Sequence, residues 1–186
     1  MYQASKGVYS HNLKNLSAML KMAAKHAKDK GFDSSVLVNA RLAPDMLPLA
    51  AQIMIATDHA KGGCARLAGV DAPVFADTES TIEELQARIK RTLDFIGTLK
   101  EDQFVGSESK AIVMKIPIGT LSFSGQDFLN GWSLPNFYFH ITTAYNILRH
   151  NGVGLGKGNF MGMVPGMSAT GKIAKMMGIK PGKKAK

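Results

Sequence analysis

Apolar side chains recur every three or four residues along four stretches of the chain, a spacing that is typical of amphipathic helices. These stretches cover approximately residues 2–28, 46–68, 82–99 and 125–150. The second stretch is apolar on nearly every side, so we expect its helix to be buried against several neighbours. Four long helices of this kind predict an all-α four-helix bundle.

The ends of these predicted helices carry recognisable local signals. Gly69 can terminate the second helix, because glycine readily adopts the left-handed backbone that often follows a helix. Asp45 can act as the N-cap of the same helix. Thr81 and Glu84 have the spacing of a capping box at the start of the third helix. Pro135 lies inside the fourth helix and should kink or divide it.

The apolar pattern changes to a period of two immediately before the last helix. Apolar and polar side chains alternate on both sides of a Pro117–Gly119 turn, which predicts a two-stranded β-hairpin. Because an isolated hairpin is only marginally stable, we expect it to pack on the helices. The predicted fold class is therefore all-α, a four-helix bundle with a small β-hairpin inserted before the last helix.

The formal net charge of +9 is concentrated in the last thirty residues. Residues 1–156 contain sixteen basic and fourteen acidic side chains, whereas residues 157–186 contain seven lysines and no acid. We expect a bundle domain at residues 1–152 and a flexible tail, rich in glycine, methionine and lysine, at residues 153–186. Since the body is nearly neutral, only this basic tail favours a nucleic acid or an anionic surface as a partner.

The remaining composition is that of an ordinary globular protein. No apolar run approaches the roughly 20 residues that span a bilayer, and the first residues lack the apolar core of a secretory signal. Cys64 is the only cysteine, which excludes an internal disulfide and fits a reducing compartment. These features predict a cytoplasmic protein without a membrane span, in which Cys64 is a small core residue.

His140 is the most informative single residue, because it interrupts the apolar stripe of the last predicted helix. One interpretation is a structural histidine, since a buried imidazole without a partner is costly. Its partner in the core would be Asp58, Asn136 or Tyr145. A second interpretation is a polar ligand pocket at one end of the bundle. The candidates for such a pocket are His140, Asn136, Asp58 and Arg41.

Three phrases of the chain resemble one group of proteins. They are LVNARLAPDMLPL, KGGCARLAGVDAPVFADTESTIEEL and LPNFYFHITTAYNILRHNGV, and they resemble an uncharacterised domain-of-unknown-function family of the DinB-like (YfiT-like) superfamily. The resemblance covers approximately residues 1–160. It implies a four-helix bundle, often dimeric, with a cavity at one end. Many superfamily members bind a divalent metal there through three histidines, one from the second helix and two from the last, and neutral imidazoles suit zinc or nickel.

This sequence departs from the metal-binding pattern that the resemblance implies. His140 falls at the position of the third histidine, but Asn136 falls at the second and Ile55 at the first. Isoleucine cannot coordinate a metal, so the resemblance implies a degenerate metal site. A zinc or nickel ion would then need His140 together with His59, one turn beyond Ile55, or with Asp58.

The sequence leaves three functions open. The first is a small-molecule binding protein with a pocket near His140. The second is a non-catalytic, homodimeric scaffold in which His140 is a structural core residue. The third and weaker alternative is a divalent-metal-dependent enzyme. The transferase activity of metal-dependent superfamily members is not carried over to this chain, because it depends on the ligands that are missing here.

Overall fold

The computed structural model describes residues 1–176, which are mainly helical. The α-helices are α1 (Val8–Lys30), α2 (Ser35–Asn39), α3 (Leu49–Ala68), α4 (Ile82–Thr98), α5 (Gly125–Asp127), α6 (Leu134–His150), α7 (Lys157–Met161) and α8 (Gly171–Met176). The strands are β1 (Ala111–Ile116) and β2 (Gly119–Ser124). π-Helical segments precede α1 at Gln3–Gly7 and α6 at Phe128–Ser133, and a 3-10 helix follows α4 at Glu101–Phe104.

The four long helices α1, α3, α4 and α6 pack around one hydrophobic core. α3 contacts both α4 and α6, and α1 contacts the same two helices. This closed arrangement is that of a four-helix bundle. α3 has buried side chains along its whole length, as its nearly continuous apolar sequence predicts. The predicted fold, all-α with a small hairpin before the last long helix, is confirmed.

Most of the predicted helix ends are confirmed. α3 ends at Gly69, which has a left-handed backbone with φ of 73°. The Thr81 side chain accepts a hydrogen bond from the Glu84 amide, and Glu84 reciprocates, so the capping box of α4 is formed. The Asp45 cap is wrong. α3 begins one turn later, after Pro48, whose extended backbone makes it the N-cap residue without a side-chain hydrogen bond.

The hairpin and the divided last helix also follow the sequence pattern. β1 and β2 pair antiparallel, with Ile116 opposite Gly119, and Ile112 is buried in the core. The chain then stays helical through α5, the π-helical segment and α6. Pro135 explains the change, because it has no N–H to donate to the turn before it. The wide π-helical turns therefore lie directly before this proline.

Residues 153–161, which the sequence assigns to the tail, pack against the bundle. Val153 and Leu155 are buried, and α7 contacts α1. The Asn15 amide donates hydrogen bonds to the carbonyls of Phe160, at 3.1 Å, and Met161, at 2.9 Å. Residues 177–186, the last part of the predicted tail, lie outside the described residues, so its flexibility stays a prediction. Within residues 1–176 there is no helix that is both long and apolar enough to cross a membrane.

Candidate functional site

α3 and α6 bring two histidines together at the place where the sequence predicts a polar site. The rings of His59 and His140 are nearly parallel, with an angle of 20° between their planes and 6.1 Å between their centroids. Both side chains are half-buried. His140 Nδ1 lies 2.7 Å from Oε1 of Gln52, a buried residue of α3. This histidine pair therefore rests on one strong interhelical hydrogen bond.

The hydrogen bonds of Gln52 determine which nitrogen of His140 carries the proton. The Gln52 amide nitrogen donates to the carbonyl of Leu47 at 3.0 Å, which leaves Oε1 as the atom that faces His140. Oε1 can only accept, so Nδ1 of His140 must donate. In the neutral ring the other nitrogen, Nε2, then carries the lone pair.

Both histidines favour the neutral form. Burial lowers the pKa of His140 below its ordinary value. For His59, burial and then the neighbouring His140 lower the pKa to about 4, against a smaller opposing effect of Asp58. Two neutral imidazoles at pH 7 can each donate one hydrogen bond and accept another.

A pocket of about 170 Å³ lies beside His59. One wall is formed by α3, a second by the π-helical segment, and Met114 of β1 completes it. The lining residues are Ile55, Asp58, His59, Gly63, Arg66, Met114, Phe128, Trp132 and Ser133. His140 is not among them, so His59 borders the pocket while His140 lies beside the ring of His59, away from the pocket lining.

Small side chains let α3 approach the π-helical segment closely. A Cβ atom added to Gly63 would lie 2.7 Å from Ser133 Oγ and 3.0 Å from the hydroxyl of Tyr9. That hydroxyl donates to Ser133 Oγ at 2.8 Å, and burial raises the pKa of Tyr9 well above its usual range. This neutral, buried hydrogen bond holds the floor of the pocket in place.

Asp58 is directed towards α4 and not towards His140. Its carboxylate forms an ion pair with Lys61, at 2.6 Å, and accepts a hydrogen bond from Arg88, at 2.8 Å. Arg88 has a fully buried side chain and also pairs with Asp77 and Glu79. Asp58 therefore lines the pocket, but its charge is already compensated.

The other residues predicted for the site make local contacts. The Asn136 side chain donates to the Trp132 carbonyl at 2.7 Å. Arg41 is exposed and donates to the Met46 carbonyl at 2.5 Å, within the connector before α3. Neither contact reaches His140, so a ligand-binding role for these two residues stays a prediction.

The side chains at this place do not form a three-histidine metal centre. Among residues 1–176 there is no group of three or more His, Cys, Asp or Glu side chains that could hold a metal ion. Ile55 lines the pocket at the position of the first histidine. The Asn136 amide at the second is bonded to the backbone. The donor set therefore does not fit the three-histidine site that the superfamily resemblance implies.

Two important polar residues, Gln52 and Arg88, were missed in the sequence. Each occupies a position on an apolar stripe: Gln52 lies three residues after Leu49, and Arg88 lies three after Leu85. This is the same signal that makes His140 conspicuous. Applied to every helix, it would have marked both residues as candidates, although not their partners.

The helical bundle with a hairpin before its last long helix is the architecture of a DinB-like protein. A crystal structure of a DinB family member from Shewanella denitrificans is similar to this chain, with a TM-score of 0.83 and 39% sequence identity. The similarity covers 90% of this chain and 95% of that one. Residues 1–161 match a family described as a domain of unknown function, DUF1993. The chain belongs to this family. No curated protein matches the chain.

Proposed function

We propose that this protein binds a small molecule in the pocket beside His59. The observation that carries the proposal is the neutral imidazole of His59 on the wall of a pocket of about 170 Å³. A neutral imidazole can orient a ligand through one donor and one acceptor. Ile55, Met114 and Phe128 supply apolar contacts, and a few polar groups in an apolar setting are typical of ligand sites.

The size of the pocket limits the ligand. Pockets for drug-sized molecules usually have volumes of about 300–1,000 Å³, so this pocket fits a smaller compound. The stacking of His140 on His59, and the hydrogen bond from His140 to Gln52, keep the His59 ring oriented before a ligand arrives. We therefore assign His59 as a contact residue and His140 as a positioning residue.

Filling the pocket tests the proposal directly. Methyl-labelled protein is titrated with a set of small polar and apolar compounds, and the methyl resonances of Ile55 and Met114 are followed by NMR. We expect some compounds to shift both resonances. The same compounds should not shift the Met114 methyl resonance in an Ile55→Trp variant, because the larger side chain of that variant occupies the pocket. Equal shifts in both proteins, or none with any compound, would contradict a binding function.

A homodimeric scaffold is the second candidate, because two exposed apolar residues, Phe139 and Leu47, belong to the segments that hold His140 and Gln52. Phe139 is 57% exposed and contacts the edge of His140. Leu47, whose carbonyl binds Gln52, is 47% exposed. Exposed apolar patches of this kind often mark interfaces between proteins. If the protein is a dimeric scaffold, light scattering should show a dimer for the wild type and a monomer for Phe139→Glu. A monomeric wild type would contradict the scaffold function.

The effect of His140→Ala separates the two candidates. If His140 positions a ligand contact, the variant should lose ligand affinity more than thermal stability. If His140 is only a core residue of a scaffold, the melting temperature should fall and binding of any ligand found in the NMR titration should be unchanged.

A further inference from the structure

We propose that the ligand of the His59 pocket is a small carboxylate, held by Arg66 at one end and by apolar side chains around its body. This inference rests on the proposed binding function and specifies the chemical class of the ligand. It comes from the charges and hydrogen-bond donors of the lining residues, taken in turn below.

Arg66 is the cation of the pocket that has no carboxylate partner. None of the ion pairs among residues 1–176 includes it. Its guanidinium lies 5.9 Å from the ring centre of Phe128 and against Gly62. Burial lowers its pKa, although an arginine stays positive at neutral pH. Arg66 as a whole is exposed, so an anion can reach this unpaired charge and form charge-assisted hydrogen bonds with it.

The one carboxylate of the pocket does not compensate Arg66. Asp58 already forms ion pairs with Lys61 and Arg88. It belongs to a cluster in which three cations face three carboxylates: Lys61, Arg88 and Arg91 face Asp58, Asp77 and Glu79. Since His59 is neutral at pH 7, the pocket wall keeps one positive charge, that of Arg66.

Trp132 supplies a second donor without an acceptor. Its indole Nε1 is buried and has no hydrogen-bond partner within residues 1–176, and Trp132 lines the same pocket. Buried donors are normally paired, because leaving one unpaired is costly. A carboxylate has two oxygens and can accept from Arg66 and from a second donor at once.

The apolar lining and the volume of the pocket determine the rest of the ligand. Ile55, Met114 and Phe128 favour an aliphatic or aromatic body, and about 170 Å³ limits that body to a few carbon atoms. A short-chain or branched monocarboxylate satisfies both conditions. A nucleotide is too large for a pocket of about 170 Å³.

The single tryptophan makes this inference measurable. Trp132 is the only tryptophan of the chain, so its fluorescence reports on the pocket. We compare 4-methylpentanoate with 4-methylpentanamide, which has the same shape without the charge, at pH 7. The carboxylate should bind at least about fivefold more tightly than the amide. This preference should weaken as salt is added.

Arginine variants identify the group responsible for the preference. Arg66→Gln should remove the preference, so that the acid and the amide bind with equal affinity, and Arg66→Lys should restore part of it. Arg149→Gln removes an exposed arginine outside the pocket and should behave as the wild type. A preference that survives Arg66→Gln would overturn the assignment of Arg66.

The possible failures of the two proposals are distinct. Equal affinity of wild-type protein for acid and amide would overturn the carboxylate inference and leave the binding function intact. The same holds if neither compound changes the fluorescence while other compounds shift the Ile55 and Met114 methyl resonances. If no compound affects either signal, both proposals are wrong.

Discussion

The hydrogen bond between Gln52 and His140 shows how one polar residue can be placed inside an apolar interface. His140 lies on an apolar stripe of α6, and its Nδ1–H is satisfied by a glutamine that is itself almost fully buried. The glutamine in turn is fixed by the Leu47 carbonyl. Each of these buried groups has a hydrogen-bond partner that offsets the cost of its desolvation, as buried polar groups generally do.

Replacing Gln52 tests this hydrogen bond. Gln52→Met keeps the approximate volume but leaves Nδ1–H of His140 and the Leu47 carbonyl without their partner. We expect the free energy of unfolding to fall by about 1–3 kcal/mol, measured by urea denaturation. Gln126→Met is the matched control, because Gln126 is exposed, and it should change stability by less than about 0.5 kcal/mol. Equal effects of the two substitutions would contradict the assigned role.

The depressed pKa of His59 should make stability depend on pH. Its pKa in the folded protein is about 4, below the ordinary value of 6.5. The unfolded chain therefore binds more protons between these values, and folding loses stability as the pH falls through this window. From pH 7 to 4.5, wild-type protein should lose about 2 kcal/mol more unfolding free energy than a His59→Gln variant. The free energy of unfolding is measured by chemical denaturation at each pH. If it falls equally in the wild type and in the variant, His59 is not held neutral.

At the residue scale, the sequence predicted which polar residues stand out but not which partners they have. The sequence identified His140, because a histidine on an apolar stripe is conspicuous. It did not identify Gln52, whose role depends on which face of α3 meets α6. It placed Asp58 near the site, but the carboxylate turns to Arg88, a contact between residues thirty positions apart. Partner choice of this kind is decided by packing, which no local pattern encodes.

At the scale of elements, Arg88 connects α4 to α3 and to the loop between them. Its guanidinium donates to Asp58 of α3 and to the Ala76 carbonyl and Glu79 of the loop. Phe75 of the same loop lies 5.4 Å from the guanidinium, a cation–π distance. A long irregular segment is thereby attached to the bundle through one buried side chain.

Removing Arg88 should be far more damaging than removing a neighbouring cation. Arg88→Met leaves Glu79, which is 8% exposed, without its buried partner, and should lower the free energy of unfolding by about 3–5 kcal/mol. Lys90→Met in the same helix removes an exposed ion pair with Asp94 and should cost less than about 1 kcal/mol. Urea denaturation measures both. A cost below 1 kcal/mol for Arg88→Met would contradict its role as the anchor of the loop.

Elements were the scale at which the sequence was most informative. The spacing of apolar residues, Gly69 and the Thr81–Glu84 capping box are local signals. The structure forms the helix ends that they predict. Asp45 failed because the local signal was ambiguous: a cap residue and a proline three positions later compete to start α3. α3 starts only after Pro48, because a proline disfavours the helical backbone in the residue that precedes it.

At the scale of the whole molecule, the main feature that neither the fold nor the proposed pocket explains is the uneven distribution of charge. The body is almost neutral, while residues 157–186 carry seven lysines and no acid. Residues 157–161 form α7 on the surface of α1, so most of the positive charge follows the part of the chain that matches the family. The sequence predicted this asymmetry completely, because net charge requires no knowledge of the fold.

Neutralising the late lysines tests whether this charge attaches the protein to an anionic surface. A variant with glutamine at six positions should bind anionic vesicles or DNA at least about tenfold more weakly at low salt than the wild type. The positions are Lys172, Lys175, Lys180, Lys183, Lys184 and Lys186. The control replaces six exposed lysines of the body by glutamine: Lys14, Lys21, Lys25, Lys28, Lys30 and Lys90. Equal losses in a sedimentation assay would assign the attachment to net charge and not to the tail.

The protonation of His140 is the most direct test of the polar contact on which the proposed site depends. Long-range 1H–15N NMR of the imidazoles at pH 7 distinguishes the two neutral forms from the charged ring. Because Gln52 Oε1 accepts from Nδ1, His140 should show a protonated Nδ1 and a bare Nε2, next to a neutral His59. A proton on Nε2 alone, or a charged ring, would contradict the geometry from which the pocket and its ligand are inferred.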